Sequence, residues 1–278
     1  TSMAPLATDL VTAYLARIEG DAPRWEPLPV QYADYTLWQR DVLGDETDPE
    51  SLAAQQLVFW REALAGIPDR LDLPADRARP TRSSGRGGTL TFAIDAATMT
   101  RLDRIAQDAG ASLFMVVHAG FAALLARLSG SGDITIGTPV AGRGERELDG
   151  LIGMFVNTLV LRTQIDPDAS FTELLAAVKD TDLAAFAHTE LPFERLVDAL
   201  DPVRSQAHHP LFQAALFFQN MTAPALELPG LTATAVEFDG AVAKFDLQLT
   251  VTPQADGGLS AMFTYATDLF DESSVAEF

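Results

Sequence analysis

The stretch from Pro68 to Gly88 divides the chain into two parts of different character. It carries Pro68, Pro74 and Pro80 and ends in Ser83-Ser84-Gly85-Arg86-Gly87-Gly88. Proline lacks a backbone donor and a Ser/Gly run offers little to pack, so a flexible boundary is expected here. Before it the apolar spacing is helical: Ala4 to Glu19, Tyr32 to Leu43 and Pro49 to Ala65 each read as a helix. Pro23, Pro27 and Pro29 separate the first from the second.

After the boundary, strand and helix signals alternate. Thr89 to Ile94, Asp133 to Val140 and Phe155 to Ile165 read as strands, and Ala97 to Ala109 and Ser112 to Leu128 as helices, the second apolar on most of its circumference. Ser170 followed by Glu173 is a capping box, opening a helix to about His188, and Pro192 starts another that ends near Leu200. Leu211 to Gln219, Leu231 to Phe238, Lys244 to Pro253 and Leu259 to Ala266 complete the strands; Asp256-Gly257-Gly258 is a hairpin turn between the last two. Asp271 opens a helix that the chain end cuts at Phe278. The pattern predicts a two-layer α/β domain with a mixed sheet from about residue 80, and a helical piece of another unit before it.

Charge and composition remove whole classes of function. The 278 residues hold 19 basic and 39 acidic side chains, a net charge of −20, which argues against binding nucleic acid or an anionic membrane surface. A hydrophobic fraction of 47% with 21% charged residues describes a packed protein rather than an acidic disordered one. The absence of cysteine excludes disulfides, thiolate metal sites and a thiol nucleophile. No apolar run approaches about 18 residues. Thr1 to Leu6 is not a signal peptide, so a cytoplasmic protein is expected.

The chemistry-bearing residues are sparse. His118 lies on the apolar segment Ser112–Leu128, where a core role is expected. His208-His209 is either a loop element or a polar group at the mouth of a cleft; without a partner cluster of ligand spacing it is no metal site. Gly142, Gly144, Gly150 and Gly153 mark a flexible loop whose Glu145 and Glu147 would repel a phosphate. No GxSxG, HExxH or Ser-x-x-Lys arrangement is present.

Five stretches taken together carry a family resemblance. Tyr32-Ala33-Asp34-Tyr35-Thr36-Leu37-Trp38-Gln39 resembles the YxDYAxWQ motif of condensation domains from nonribosomal peptide synthetases. Ile136 to Arg143, together with Ile152 to Arg162, resembles that family's IGxFVNTLxLR region; His188 to Val197 its HQDxPFExLV segment; Arg204 to Gln213 its RxxxRNPLFQ segment; and Lys244 to Leu247 also fits. The resemblance implies two chloramphenicol-acetyltransferase-like lobes around a tunnel. Residues 1–79 would be the end of the N-terminal lobe with crossing helices and linker, and 80–278 the C-terminal lobe. The family's HHxxxDG signature is absent. Ser2 to Leu10 resembles the segment that lies directly C-terminal to that signature in family members, so the chain is expected to begin just after it.

The activity implied is amide formation between a donor acyl thioester and an acceptor aminoacyl amine. Both would be presented on phosphopantetheine arms by upstream and downstream carrier proteins, with no cofactor bound directly. The second signature histidine would take the amine proton or position the nucleophile, and this chain alone would be inactive. The rest of the N-terminal lobe and an adjacent adenylation domain are the other implied partners. Arg143, Gly153, Met154, Phe155, Asn157 and His209 are implied to line the tunnel or its floor. Arg143 would either order its loop or face the cleft, and Phe155 would pack in the core or form the floor. His209 stands where the family has Asn, and Thr189-Glu190 replaces Gln-Asp. Tyr35 and Trp38 are expected to be helix-packing residues. Arg77, Arg79, Arg82 and Arg86 form a candidate carrier-docking cluster. Alternatives are an epimerisation-type relative, a cyclisation variant whose altered signature lies outside the chain, and a non-catalytic platform recruiting a carrier or tailoring enzyme.

Overall fold

A computed structural model describes residues 2–219, 227–232 and 240–278. Three helices come first: α1 (Met3–Ile18), α2 (Tyr32–Leu43) and α3 (Leu52–Ala63). Then come β1 (Arg86–Ile94), α4 (Ala96–Asp108), α5 (Leu113–Ser129), β2 (Asp133–Ala141), β3 (Val156–Gln164), α6 (Phe171–Phe186) and α7 (Phe193–Leu200). The last part holds β4 (Ala214–Phe218), a small β5 (Glu227–Leu228) and β6 (Leu231–Thr232) pair, β7 (Ala241–Val242), β8 (Leu247–Pro253), β9 (Leu259–Ala266) and α8 (Glu272–Glu277). The expected strand Leu231–Phe238 lies mostly outside the described residues. No single described helix is long and apolar enough to cross a membrane.

The helix starts derive from local chemistry. Ser170 Oγ accepts from the Glu173 amide while Glu173 Oε2 accepts from the Ser170 amide at 2.8 Å, so the capping box closes both ways. Ser51, Asp95 and Ser112 cap α3, α4 and α5 by accepting from the amide three residues on.

Seven strands form one mixed sheet in the order β3-β2-β4-β8-β9-β1-β7. Strand β4 runs parallel to both β2 and β8, and the other pairings are antiparallel. Alternation along β4 sends side chains to two cores. Ala214 and Leu216 pack with Phe121 and Leu125 of α5 and with Ile134, Ile136, Leu247 and Leu249. Ala215 and Phe217 join Ala53, Leu57 and Trp60 of α3, Leu196 of α7 and Phe212. Helices α4, α5 and α8 lie on one face, α6 packs against α5 and the edge strand β3, and α3 and α7 cover the other face locally.

Sequence boundaries shift where long-range contacts decide. Gly87 and Gly88 belong to β1 rather than to a flexible linker, because neighbouring strands occupy the space beside them. A Cβ on Gly88 would lie 2.4 Å from the Tyr265 ring, and one on Gly87 3.0 Å from the Ala241 carbonyl. Strand β4 begins at Ala214, not Leu211, because Leu211 adopts φ +66° and its carbonyl accepts from Thr135 Oγ1 at 2.9 Å. The rest of the boundary stretch is a strap. Leu71 N donates to Gln213 Oε1 at 2.6 Å, and Asp76 accepts from the Asp271 amide and Ser274 Oγ, both at 2.7 Å. The Ser84 amide and hydroxyl both bond Asp268.

His118 is fully buried, as its apolar helix suggested. Its Nδ1 lies 3.0–3.1 Å from the Asp182 carboxylate on α6, and its Nε2 3.4 Å from Thr163 Oγ1 on β3. The trio ties α5, α6 and β3 together inside the core. Asp182→Ala leaves the imidazole without its partner, at a cost of about 2–3 kcal/mol. Urea unfolding measures this, and the double variant His118→Leu with Asp182→Leu recovers most of it.

Candidate functional site

The candidate site is the loop of residues 142–155, which leaves the C-terminal end of β2 and returns into β3. The Gly142 amide donates to the Phe155 carbonyl at 2.5 Å and closes its neck. A short helical turn at Arg146–Leu148 folds Leu148 inward, where Leu148, Leu151 and Phe155 bury with Tyr35 of α2. The Phe155 ring lies 4.9 Å from Tyr35 and 5.4 Å, edge-on, from Tyr32. Burial raises the Tyr35 phenol above its ordinary pKa. Arg143 completes the loop: its guanidinium sits 4.1 Å over the Phe155 ring and donates to the Leu148 and Leu151 carbonyls. Of its two expected roles, Arg143 takes the loop-ordering one.

These contacts settle which loop residues face outward. Phe155 is 2% exposed and serves as the loop's core, while Met154 is 72% exposed, with Ile152 and Val156 also open on either side. Gly153 lies under the Tyr32 ring, only 2.3 Å from where its Cβ would be. Trp38, expected to pack, stands half in solvent on α2 beside Tyr35.

Asn157, at the start of β3, turns away from the loop. Its Nδ2 donates to the Thr189 and Leu191 carbonyls at 2.8 and 2.7 Å, and its Oδ1 accepts from the Thr158 and Phe193 amides at 2.8 and 3.0 Å. Every hydrogen-bonding position of the amide is filled by main chain. Because it contacts the carbonyl of Thr189 and not its side chain, the Thr189-Glu190 departure from the family pattern leaves this contact intact. Gln56 of α3, 2% exposed, supports the same turn by accepting from the Leu191 amide at 2.8 Å. Sequence reasoning missed Gln56, although an uncharged amide within an apolar helix was the available signal.

His209 lies apart from the floor loop. Its ring packs among Phe193, Phe212 and Phe245 at 4.3–5.5 Å, and Nδ1 is 2.8 Å from the Pro210 carbonyl. With His208, Arg79, Lys244 and Asp246 it borders a cavity of about 270 Å³ at the N-terminal ends of β4 and β8. The 142–155 loop leaves the opposite, C-terminal end of β2, which runs parallel to β4. Phe212 also explains Gly137, where a Cβ would lie 2.0 Å from that ring.

The four arginines expected to dock a carrier do not form a single open patch. Arg77 pairs with Asp271, Arg86 lies 3.8 Å from Asp268, and Arg79 forms a two-point pair with Asp246, the two side chains 17% and 6% exposed. The Asp246 hydrogen bond holds Arg79 above its ordinary pKa. Arg82 is exposed.

Comparison with known proteins accounts for this arrangement. The condensation domain family model matches residues 1–278. A dimodular nonribosomal peptide synthase of Bacillus subtilis is 49% identical over 274 residues, covering 97% of this chain and 12% of that protein. A probable non-canonical nonribosomal peptide synthetase, CymA, of Salinispora arenicola is 48% identical over 282 residues, covering all of this chain and 4% of that protein. The structure of an X-domain in complex with OxyB from teicoplanin biosynthesis superposes with a TM-score of 0.89 at 36% identity, covering 99% of this chain and 61% of that one. The chain belongs to the condensation domain family of nonribosomal peptide synthetases, and its mixed α/β sheet is of the chloramphenicol-acetyltransferase-like kind. It spans only a small part of the curated relatives it matches.

The geometry generates two expected outcomes. Asn157→Ala removes four main-chain contacts and lowers unfolding free energy by about 3 kcal/mol, read by denaturant titration. Burial pushes the His209 imidazole below its ordinary value of 6.5. As pH falls below about 6.5 the unfolded chain takes up a proton that the folded chain does not, so this share of stability is present above that pH and lost below it. His209→Phe therefore flattens the decline in unfolding free energy between about pH 7 and about pH 5.

Proposed function

We propose that this chain forms the C-terminal lobe and tunnel floor of a condensation domain that joins a carrier-bound acyl donor to a carrier-bound aminoacyl acceptor. The observation that carries the reading is the floor loop: Arg143, Phe155 and Tyr35 hold its frame rigid while Met154, flanked by Ile152 and Val156, faces outward. An apolar, preordered wall suits two thioesters held end to end, where proximity supplies much of the rate. In the reaction the acceptor amine attacks the donor carbonyl, an amide bond forms, the thioester bond breaks, and the donor thiol leaves. The resemblance assigns the amine proton to the family's HHxxxDG signature, which these 278 residues do not carry, and under this reading they form no amide by themselves.

Under this reading residues 1–79 complete the N-terminal lobe and 80–278 make the second lobe. Carrier proteins deliver both phosphopantetheine arms, an adenylation domain loads the acceptor, and the reaction takes place in the cytoplasm. The exposed Arg82 and Arg86 are the part of the arginine cluster best placed to meet an acidic carrier.

A chimera tests this: the 278 residues replace the matching segment of the Bacillus subtilis synthase, and amide formation is measured by mass spectrometry with loaded carriers. A folded chimera forms the amide product. A folded chimera with loaded carriers and no product would sink the reading. One observation favours a second reading, recruitment of a tailoring enzyme: the similarity to an X-domain solved in complex with OxyB. That role predicts an inactive chimera.

A further inference from the structure

Helix α1 is held to the rest of the molecule in an unusual way. None of its sixteen residues is buried, and Met3, Leu6, Leu10, Leu15 and Ile18 are all exposed. Among the described residues its side-chain hydrogen bonds to other segments run from Tyr14, to the Pro229 carbonyl at 2.8 Å, and from Ser2 at its N-cap. A serine at an N-cap ordinarily accepts from the helix's own amides. Ser2 does not cap α1. Its hydroxyl instead donates to the Gly153 carbonyl at 2.7 Å and accepts from the Gly153 amide at 3.0 Å, taking both polar groups of one floor-loop residue.

Two further groups converge there. Arg143 Nη2 comes within 3.4 Å of Ser2 Oγ while its guanidinium also bonds the Leu151 carbonyl. On the other side, Tyr32 Oη donates to the Met154 carbonyl at 2.9 Å, and its ring covers Gly153. The starts of α1 and α2 thus grip one stretch, Gly153-Met154, and Met154 is the outward residue of the floor.

We infer that Ser2, Tyr32 and Arg143 are positioning residues forming a clamp that couples α1 to the tunnel floor, so that displacement of α1 moves Gly153-Met154 and with it the wall facing the substrates. The Ser2 hydroxyl, bonded to both polar groups of Gly153, transmits a movement of α1 to the loop. This rests on the reading of residues 142–155 as the tunnel floor.

Hydrogen exchange on the 278-residue chain tests the clamp. Ser2→Ala speeds exchange of the Gly153 and Met154 amides by about tenfold, while amides of β2, β4 and β8 stay within about twofold of wild type. Ser2→Thr, which keeps the hydroxyl, restores slow exchange. Tyr32→Phe, which keeps the ring over Gly153, speeds exchange around Met154 less than Ser2→Ala does. Unchanged floor-loop exchange in Ser2→Ala, or a Ser2→Thr variant as fast as Ser2→Ala, overturns the proposal. The chimera separates this from the functional reading. If it is active, Ser2→Ala lowers kcat several-fold at unchanged KM for the carriers and Ser2→Thr rescues it; an active chimera indifferent to Ser2→Ala refutes the clamp alone. An inactive wild-type chimera refutes the functional reading and leaves the exchange result to decide the clamp.

Discussion

The site region depends on a single side chain, Asn157. Its amide fills all four hydrogen-bonding positions with main-chain groups, one on its own strand, two on the turn between α6 and α7 and one at the first residue of α7. An unpaired amide in this part-buried position would be costly, so strand and turn are stable only together. The turn then delivers Phe193, whose amide bonds Asn157 and whose ring stacks on His209 at 5.5 Å. Phe193 also packs on Phe212, which lies against Phe245 and over Gly137. Starting from one polar group, the chain of contacts reaches four of the stretches that carry the family resemblance.

Motif residues of this kind are easily mistaken for chemistry. Asn157, His209 and Phe155 are expected tunnel residues by position in the motifs; in this structure Asn157 bonds main chain, Phe155 is buried in its loop, and His209 lies in an aromatic cluster beside a cavity. Met154, in the same loop as Phe155, presents its side chain openly. The family pattern here largely records how the strands, turns and the 142–155 loop are fastened to one another.

Local signals were legible because they act over a few residues. The Ser170–Glu173 box, the Tyr32–Leu43 helix and the turn at Asp256-Gly257-Gly258 each depend on near neighbours, and each appears where the sequence places it. Strand order was not legible: β1 lies beside β9, and β4 takes parallel partners on both sides, pairings made between distant segments. Gly87-Gly88 read as linker because nothing local tells that Tyr265 needs the space. The pairing of Arg77, Arg79 and Arg86 was not legible because their partners, Asp271, Asp246 and Asp268, lie far along the chain. The floor loop's own family motif was visible, but its fastening through Ser2 was not, since Ser2 resembles an ordinary cap.

The strap from Leu71 to Ser84 has a mechanical consequence. It is bonded to Gln213, Asp246, Asp268, Asp271 and Ser274, and three of these belong to the last eleven residues of the chain. Entry to the sheet and exit from it are therefore tied at one place. Tension between the segment before Pro80 and the C-terminal helix α8 runs through this knot of charged and polar contacts and bypasses the strand ladder. A pull between these two segments loads those side-chain bonds before it loads the β1–β9 pairing.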